Sequence, residues 1–521
     1  MRPRTRPAAL AAALALATAT TTAAAQPRSA IPWLSDSVEL SIPALPPPRP
    51  KPAAGPGAGA ITVTPLDPVS RDAVGLLKPD ASGLPRRLWG GATADEVRAL
   101  LIEHPDAGPP AARALFRRLL LAEADPPAGA GPGSEVLLTR LDRLLELGAL
   151  DEAEGLILAA GPETPELFRR WFDVGLLTQR AQPQCEALRL NPALSPTLPA
   201  RVFCLARGGD WNAAEITLTL GQGVGAISPE QEALLARFLD PQLFEEDPEP
   251  PLPRPLTALD FTLREAVGLS RPPGQLPLAF LWTDLTEHTP MRMRVEAAER
   301  LVLAGSAGPD ALLDAYRSGA PAASGGIWDR AAAAQALDAA LAAGAPEKIA
   351  DALAAADAAL SARGLRVALA TAYAPALAAL DPASLPEPAR GKVVEILLLG
   401  GESGAAARVA GPAPDPRTAA LLAIAGVGAP PPSLPDDPRL AAALAGLADR
   451  PPADERETRL AAEVADGAAG TAIVEALALA APGPAIDPAS LTAALFALRA
   501  AGQTDSARAI ALQALLLPGE S

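Results

Sequence analysis

From Thr93 onward the apolar residues recur at helical spacing. Val97, Leu100 and Leu101 line one face, and Leu115, Leu119 and Leu120 repeat the pattern. After a glycine and proline break at 126–133, Val136, Leu137, Leu141, Leu144 and Leu145 mark another amphipathic helix. Thr93-Ala94-Asp95-Glu96 reads as a capping box, with Thr93 as N-cap and Glu96 reaching back to it. Two short segments alternate at strand period instead: 37–42 and 61–64. They are too few to build a sheet. Each is either extended linker or a strand able to join a partner's sheet edge.

Proline-rich breaks divide the pattern. Residues 26–60 contain Pro43, Pro46, Pro47, Pro48, Pro50 and Pro52, followed by GPGAGA, and cannot form a core. The expected organisation is an extended Pro/Gly-rich arm at 26–92 and a helical block at 93–240. An acidic Pro-rich linker at 241–256, a second helical block at 257–410 and a Pro-rich linker at 411–438 follow. Helical hairpins at 439–521 complete the chain. The fold class read from this is all-α: an irregular helical-hairpin solenoid in about three blocks behind an extended arm.

Residues 1–25 have another character. Arg2, Arg4 and Arg6 precede the short apolar run 8–17, and Ala23-Ala24-Ala25 offers small residues for cleavage before Gln26. This is the layout of a secretory signal peptide, too short to span a bilayer. The expected location is therefore periplasmic or secreted, with no membrane span after cleavage. Cleavage would take the formal net charge from −16 to −19, because three arginines and no acids leave. That acidity opposes nucleic acid, whose phosphates need a basic footprint. Four lysines against forty arginines, with abundant Ala, Pro and Gly, mark a GC-rich bacterial genome. Export also decides how the two cysteines are read. In an oxidising compartment Cys185 and Cys204 form a disulfide, bringing helices near 184–190 and 200–207 together.

One local motif recurs. Gly148 precedes Ala153 by five positions; Gly209 and Ala214, Gly401 and Ala406, and Gly502 and Ala507 repeat the offset. The glycine ends one helix in the left-handed conformation, and the alanine lets the next helix approach closely. Asp151, Asp210 or Asp505 can contribute to the start of the following helix. This pattern, best developed in LTAALFALRAAGQTDSARAIALQALLLP, resembles the tetratricopeptide family. The four turns do not follow the family's repeat length, and its aromatic packing positions are mostly absent. The resemblance implies a protein-binding scaffold and no catalytic residue.

Catalytic and metal chemistry find little footing. His104 and His288 are the only histidines, and no zinc-ligand spacing accompanies them. Gly221-Gln222-Gly223-Val224-Gly225-Ala226 fits a dinucleotide fingerprint on paper, but a strand should precede it. The expected reading is an interhelix loop, with Ser228 capping the next helix before Pro229. Glu245-Glu246-Asp247 reads as a solvated hinge. Trp171, Trp211, Trp282 and Trp328 lie within helical blocks and are expected in the core. Trp33 and Trp89 lie outside them and are the candidate partner-binding anchors. The sequence therefore reads as a non-catalytic adaptor for protein partners of the cell envelope, with no metal or cofactor expected. The alternatives are an accessory factor of peptidoglycan metabolism and an enzyme of unrecognised type.

Overall fold

Helix ends explain much of this chain's local order. Thr93 and Thr257 close capping boxes with Glu96 and Asp260. Thr164, Thr197, Ser228, Asp454 and Asp487 each accept a backbone N–H at a helix start. Proline serves the same ends. Pro110, Pro165, Pro229, Pro416, Pro438 and Pro488 open helices, where the missing N–H loses no bond.

The computed structural model describes residues 31–34, 70–272, 274–434 and 436–519. Among them are twenty-four α-helices and no strand, only two isolated bridges, Leu77 with Ala122 and Thr93 with Ala128. The expected leader at 1–25 and the alternating segments at 37–42 and 61–64 lie outside the described residues, as does most of the proline stretch.

Successive helices pack on one another along most of the chain: Leu198–Arg207 on Trp211–Gly223, Ile327–Ala343 on Pro346–Ser361, Ala469–Ala480 on Pro488–Ala500. The four expected hairpin turns share one geometry. Gly148, Gly209, Gly401 and Gly502 have φ of 74, 84, 84 and 77°. The residue after each glycine donates its N–H five residues back, as in Ala149 to Leu144 at 2.8 Å and Gln503 to Leu498 at 2.8 Å. Ala153, Ala214, Ala406 and Ala507 are fully buried beneath the facing helices. A fifth turn, Gly467 with Ala472, has the same form: φ is 81°, Ala468 donates to Glu463 at 2.8 Å, and Ala472 is fully buried. Of the expected aspartates, Asp210 caps its helix, whereas Asp151 and Asp505 sit in the first turn.

The described helical regions share one continuous apolar core rather than three separate ones. The early helix Pro110–Leu121 touches Met291–Ala304, Ala469–Ala480 and Thr504–Leu516. Ala111 N–H donates to Gln513 Oε1 at 2.8 Å, and Arg118 donates to Ser506 Oγ at 2.5 Å. Gln503 Nε2 donates to the Gly83 carbonyl at 2.7 Å. The chain thus closes back on itself.

Three expectations about the connecting segments change. The arm does not extend to residue 92, because 70–91 belong to the body. Leu76 and Leu77 donate to the Leu121 carbonyl at 2.8 and 3.0 Å. The buried Arg140 guanidinium donates to the carbonyls of Leu120 (2.6 Å), Val74 (2.8 Å), Ala122 (2.9 Å) and Asp72 (3.3 Å). Secondly, the linker at 411–438 holds the helix Pro416–Ile424, because Asp415 caps it and Pro416 starts it. Thirdly, the acidic linker is pinned. Arg264, itself buried, donates to the Pro250 carbonyl and to Glu249 at 3.3 Å each.

Candidate functional site

The structure separates the sequence-derived candidates. Cys185 and Cys204 form a disulfide with a Cα–Cα distance of 5.0 Å, joining the helices Gln182–Leu190 and Leu198–Arg207. Trp33 and Trp89 are not exposed anchors. Each is 5% accessible. Trp33 meets Phe280 edge-to-face with ring centroids 5.4 Å apart, and Ile31 and Leu34 are buried beside it. Trp89 and Leu88 press on Gly470, whose N–H donates to the Leu88 carbonyl at 2.8 Å. Burying their large apolar rings outweighs leaving them free in water. The partner-binding role expected of this pair is therefore not available to their side chains in this arrangement.

Neither histidine is placed for chemistry with the other. His104 is buried and stacks on Phe116 with centroids 4.1 Å apart. Burial, aided by the Arg143 charge, pushes its imidazole down to about 4. His288 is exposed in the turn before Met291–Ala304. Among the described residues no group of three or more His, Cys, Asp or Glu side chains is arranged to hold a metal ion. The glycine-rich stretch 221–226 follows no strand. Gly221 and Gly223 belong to the helix Trp211–Gly223, Gly225 turns at φ 67°, and Ser228 caps the next helix.

One charged cavity, of about 480 Å³, opens between residues near 271–300 and 327–363. Most of its ions are paired, while Arg300 donates to the Leu276 carbonyl at 2.8 Å. Arg271 donates twice to Asp284, at 2.6 and 2.5 Å. Arg330 grips both oxygens of the buried Glu299 at 2.7 and 2.8 Å, and Tyr316 OH donates to the same carboxylate at 2.9 Å. Burial and the Glu299 charge raise the Tyr316 phenol. Such mutual satisfaction is what a structural network needs, and it leaves Glu299 and Asp284 committed to arginine.

A different surface stands out. Helix Trp211–Gly223 buries Ala214, Leu218 and Gly221. The opposite side carries Ile216, Leu220 and, one turn on, Val224, with 60%, 65% and 76% of their surfaces accessible. The spacing of four residues puts them in one stripe. Trp211, expected in the core, is 51% accessible at the helix start. It falls at the rim because the turn at Gly209 and the cap at Asp210 place it before the buried face begins. Leu190 and Leu243 are also exposed, at 76% and 72%, on the helix Gln182–Leu190 and in the 3₁₀ turn Pro241–Phe244. Singly exposed apolar residues need no explanation, but an aligned set does. The sequence signal was present: WNAAEITLTLGQG holds one charged residue, Glu215, so this helix is apolar on more than one side.

No helix among the described residues is long and apolar enough to cross a membrane. Comparison with protein-family models, curated proteins and solved structures gave no match.

Proposed function

We propose that this protein is an exported, non-catalytic helical-hairpin adaptor that holds an apolar segment of a protein partner on the face formed by Ile216, Leu220 and Val224. The observation that carries the reading is that aligned, accessible stripe on a helix whose other side is buried. Export rests on the basic, apolar, small-residue layout of 1–25, and the Cys185–Cys204 bridge supports an oxidising compartment. About two-thirds of the three side chains is accessible, so covering them is worth roughly 3–6 kcal/mol, at about 1.5–3 kcal/mol for each fully buried aliphatic group. Micromolar binding needs about 8 kcal/mol. A partner must therefore also cover Trp211, an anchor of the kind that dominates many interfaces.

A photo-crosslinking amino acid at Leu220, installed in cells producing the full chain, tests this. The expected result is a discrete adduct containing a second protein, absent when the crosslinker replaces exposed Asp351. The double substitution Ile216→Asp and Leu220→Asp should abolish capture at a neighbouring crosslinker, placed at Val224, with little change in melting temperature. An adduct of two copies of this chain, or no adduct, overturns the partner reading.

A further inference from the structure

A second cavity of about 480 Å³ lies where the chain closes on itself. The early helix Pro110–Leu121 contributes Arg113 and Arg117, and the late helix Thr504–Leu516 contributes Gln513. Val302, Leu303, Leu365, Val367 and Leu399 supply an aliphatic wall.

The charges here are unbalanced. Several buried guanidinium groups elsewhere in the fold are matched: Arg140 by four carbonyls, Arg170 by Asp142 at 2.6 and 2.9 Å, Arg366 by Asp357 at 2.8 Å. Arg143, Arg169 and Arg264 also leave Nε without a hydrogen-bond partner, but each keeps an ion pair through another nitrogen. Arg113 has no such match. Its Nε is buried without a hydrogen-bond partner, and none of the described ion pairs includes it. Burial, together with the like charge of Arg117, lowers its pKa. Arg117 meets only Glu152, at 3.9 Å. No acid lies within PAARALFRRLLL itself, so the two arginines, four residues apart on one face, have no partner along their own helix. Two cations and one acid lining the cavity leave a net positive charge in a protein whose formal charge is −16.

We propose that this cavity binds a small aliphatic carboxylate, its anionic head held by Arg113 and Arg117 and its chain laid against Leu303, Leu365 and Leu399. A planar carboxylate accepts paired N–H bonds from guanidinium, which supplies the missing counter-charge. The volume falls within the range of small-molecule sites, and a mostly apolar lining with a few convergent polar groups is their usual composition. The ligand site is independent of the Ile216–Leu220 surface and of the adaptor reading.

Hexanoate is the probe, and hexanamide its uncharged counterpart of near-equal shape. Calorimetric titration of the full-length purified protein should show saturable hexanoate binding at one site, with hexanamide at least tenfold weaker. Arg113→Gln should weaken hexanoate at least tenfold while the circular dichroism stays helical. Ala368→Phe, which fills the cavity and keeps both arginines, should abolish binding of both compounds. Equal affinity for the two probes would overturn the charge argument without any variant. So would unchanged hexanoate affinity in either substituted protein, or inorganic phosphate competing as well as hexanoate, since the aliphatic wall would then contribute nothing.

Discussion

Gly470→Ala distinguishes a docked Leu88–Trp89 pair from a free one by sign. Gly470 is the second residue of the helix Ala469–Ala480 and is buried. A Cβ there would lie 2.8 Å from Leu88 Cγ, 2.8 Å from Trp89 Cζ3 and 2.9 Å from the Leu88 carbonyl oxygen. One of these atoms is backbone, so a rotamer change alone cannot relieve the crowding. Overpacking of this kind costs about 1–3 kcal/mol. Replacing glycine by alanine in a helix returns up to about 1 kcal/mol, and less in the first turn. The expected balance is a loss of roughly 1–2 kcal/mol, or about a five- to thirty-fold rise in local opening. Hydrogen exchange read by mass spectrometry on peptides spanning 84–92 and 468–475 measures it directly. Both peptides should exchange faster together, because the Gly470 to Leu88 hydrogen bond joins them. Slower exchange and a higher melting temperature, the outcome for an unencumbered helix, would refute the docking of this segment on the late helices.

Three further outcomes follow from the same geometry. Arg140→Leu strands four carbonyls and should cost about 3–5 kcal/mol locally. Trypsin should then cut after the exposed Arg86 and Arg87 far faster than in the parent protein, and an unchanged rate would mean that Arg140 does not fasten 70–77. Denatured, unreduced protein should show no reactive thiol. Reduction should lower the stability of the 182–207 region by about 3 kcal/mol for a loop of this length, measured as a shift in urea midpoint at 185–204. His104 titrates at about 4 when folded against an ordinary value of 6.5, so the unfolded chain takes up its proton first. Stability should fall as pH drops from about 6.5 towards 4 and level off below, and His104→Gln should flatten that limb. An imidazole titrating near 6.5 by NMR would count against it.

What the sequence reveals is what local physics decides. The turns at Gly148, Gly209, Gly401 and Gly502 are legible because a left-handed glycine and a small residue five positions later act within one hairpin. Thr93 and Ser228 are legible as caps for the same reason. The turn at Gly467 has the same local form, with Ala468 before the helix as Ala149 stands after Gly148. The failures are non-local. Leu88 and Trp89 look like an exposed appendage until Gly470, almost four hundred residues later, supplies the cleft. Prolines at 411–438 read as breaks, yet Pro416 also suits a helix start. Composition cannot choose between these roles. Trp211 reads as core because tryptophan usually is, and its place one residue after a capping turn sets it at the rim instead. Arg113 and Arg117 stand four residues apart in the sequence, but the lack of an acid partner for Arg113 depends on walls drawn from five distant segments.

Chain closure also has a consequence in time. Ala111 and Gln513 are 402 positions apart, and the bond between them fastens the N-terminus of a central helix. At about 5–20 residues per second, a ribosome reaches the second of them roughly 20–80 s after the first. Through that interval Pro110–Leu121 can meet Glu135–Glu146 but not Thr504–Leu516, so part of its apolar surface waits for a partner not yet made. That surface stays uncovered until the last helix is made. A nonsense mutation late in the reading frame would be felt first at the other end of the molecule.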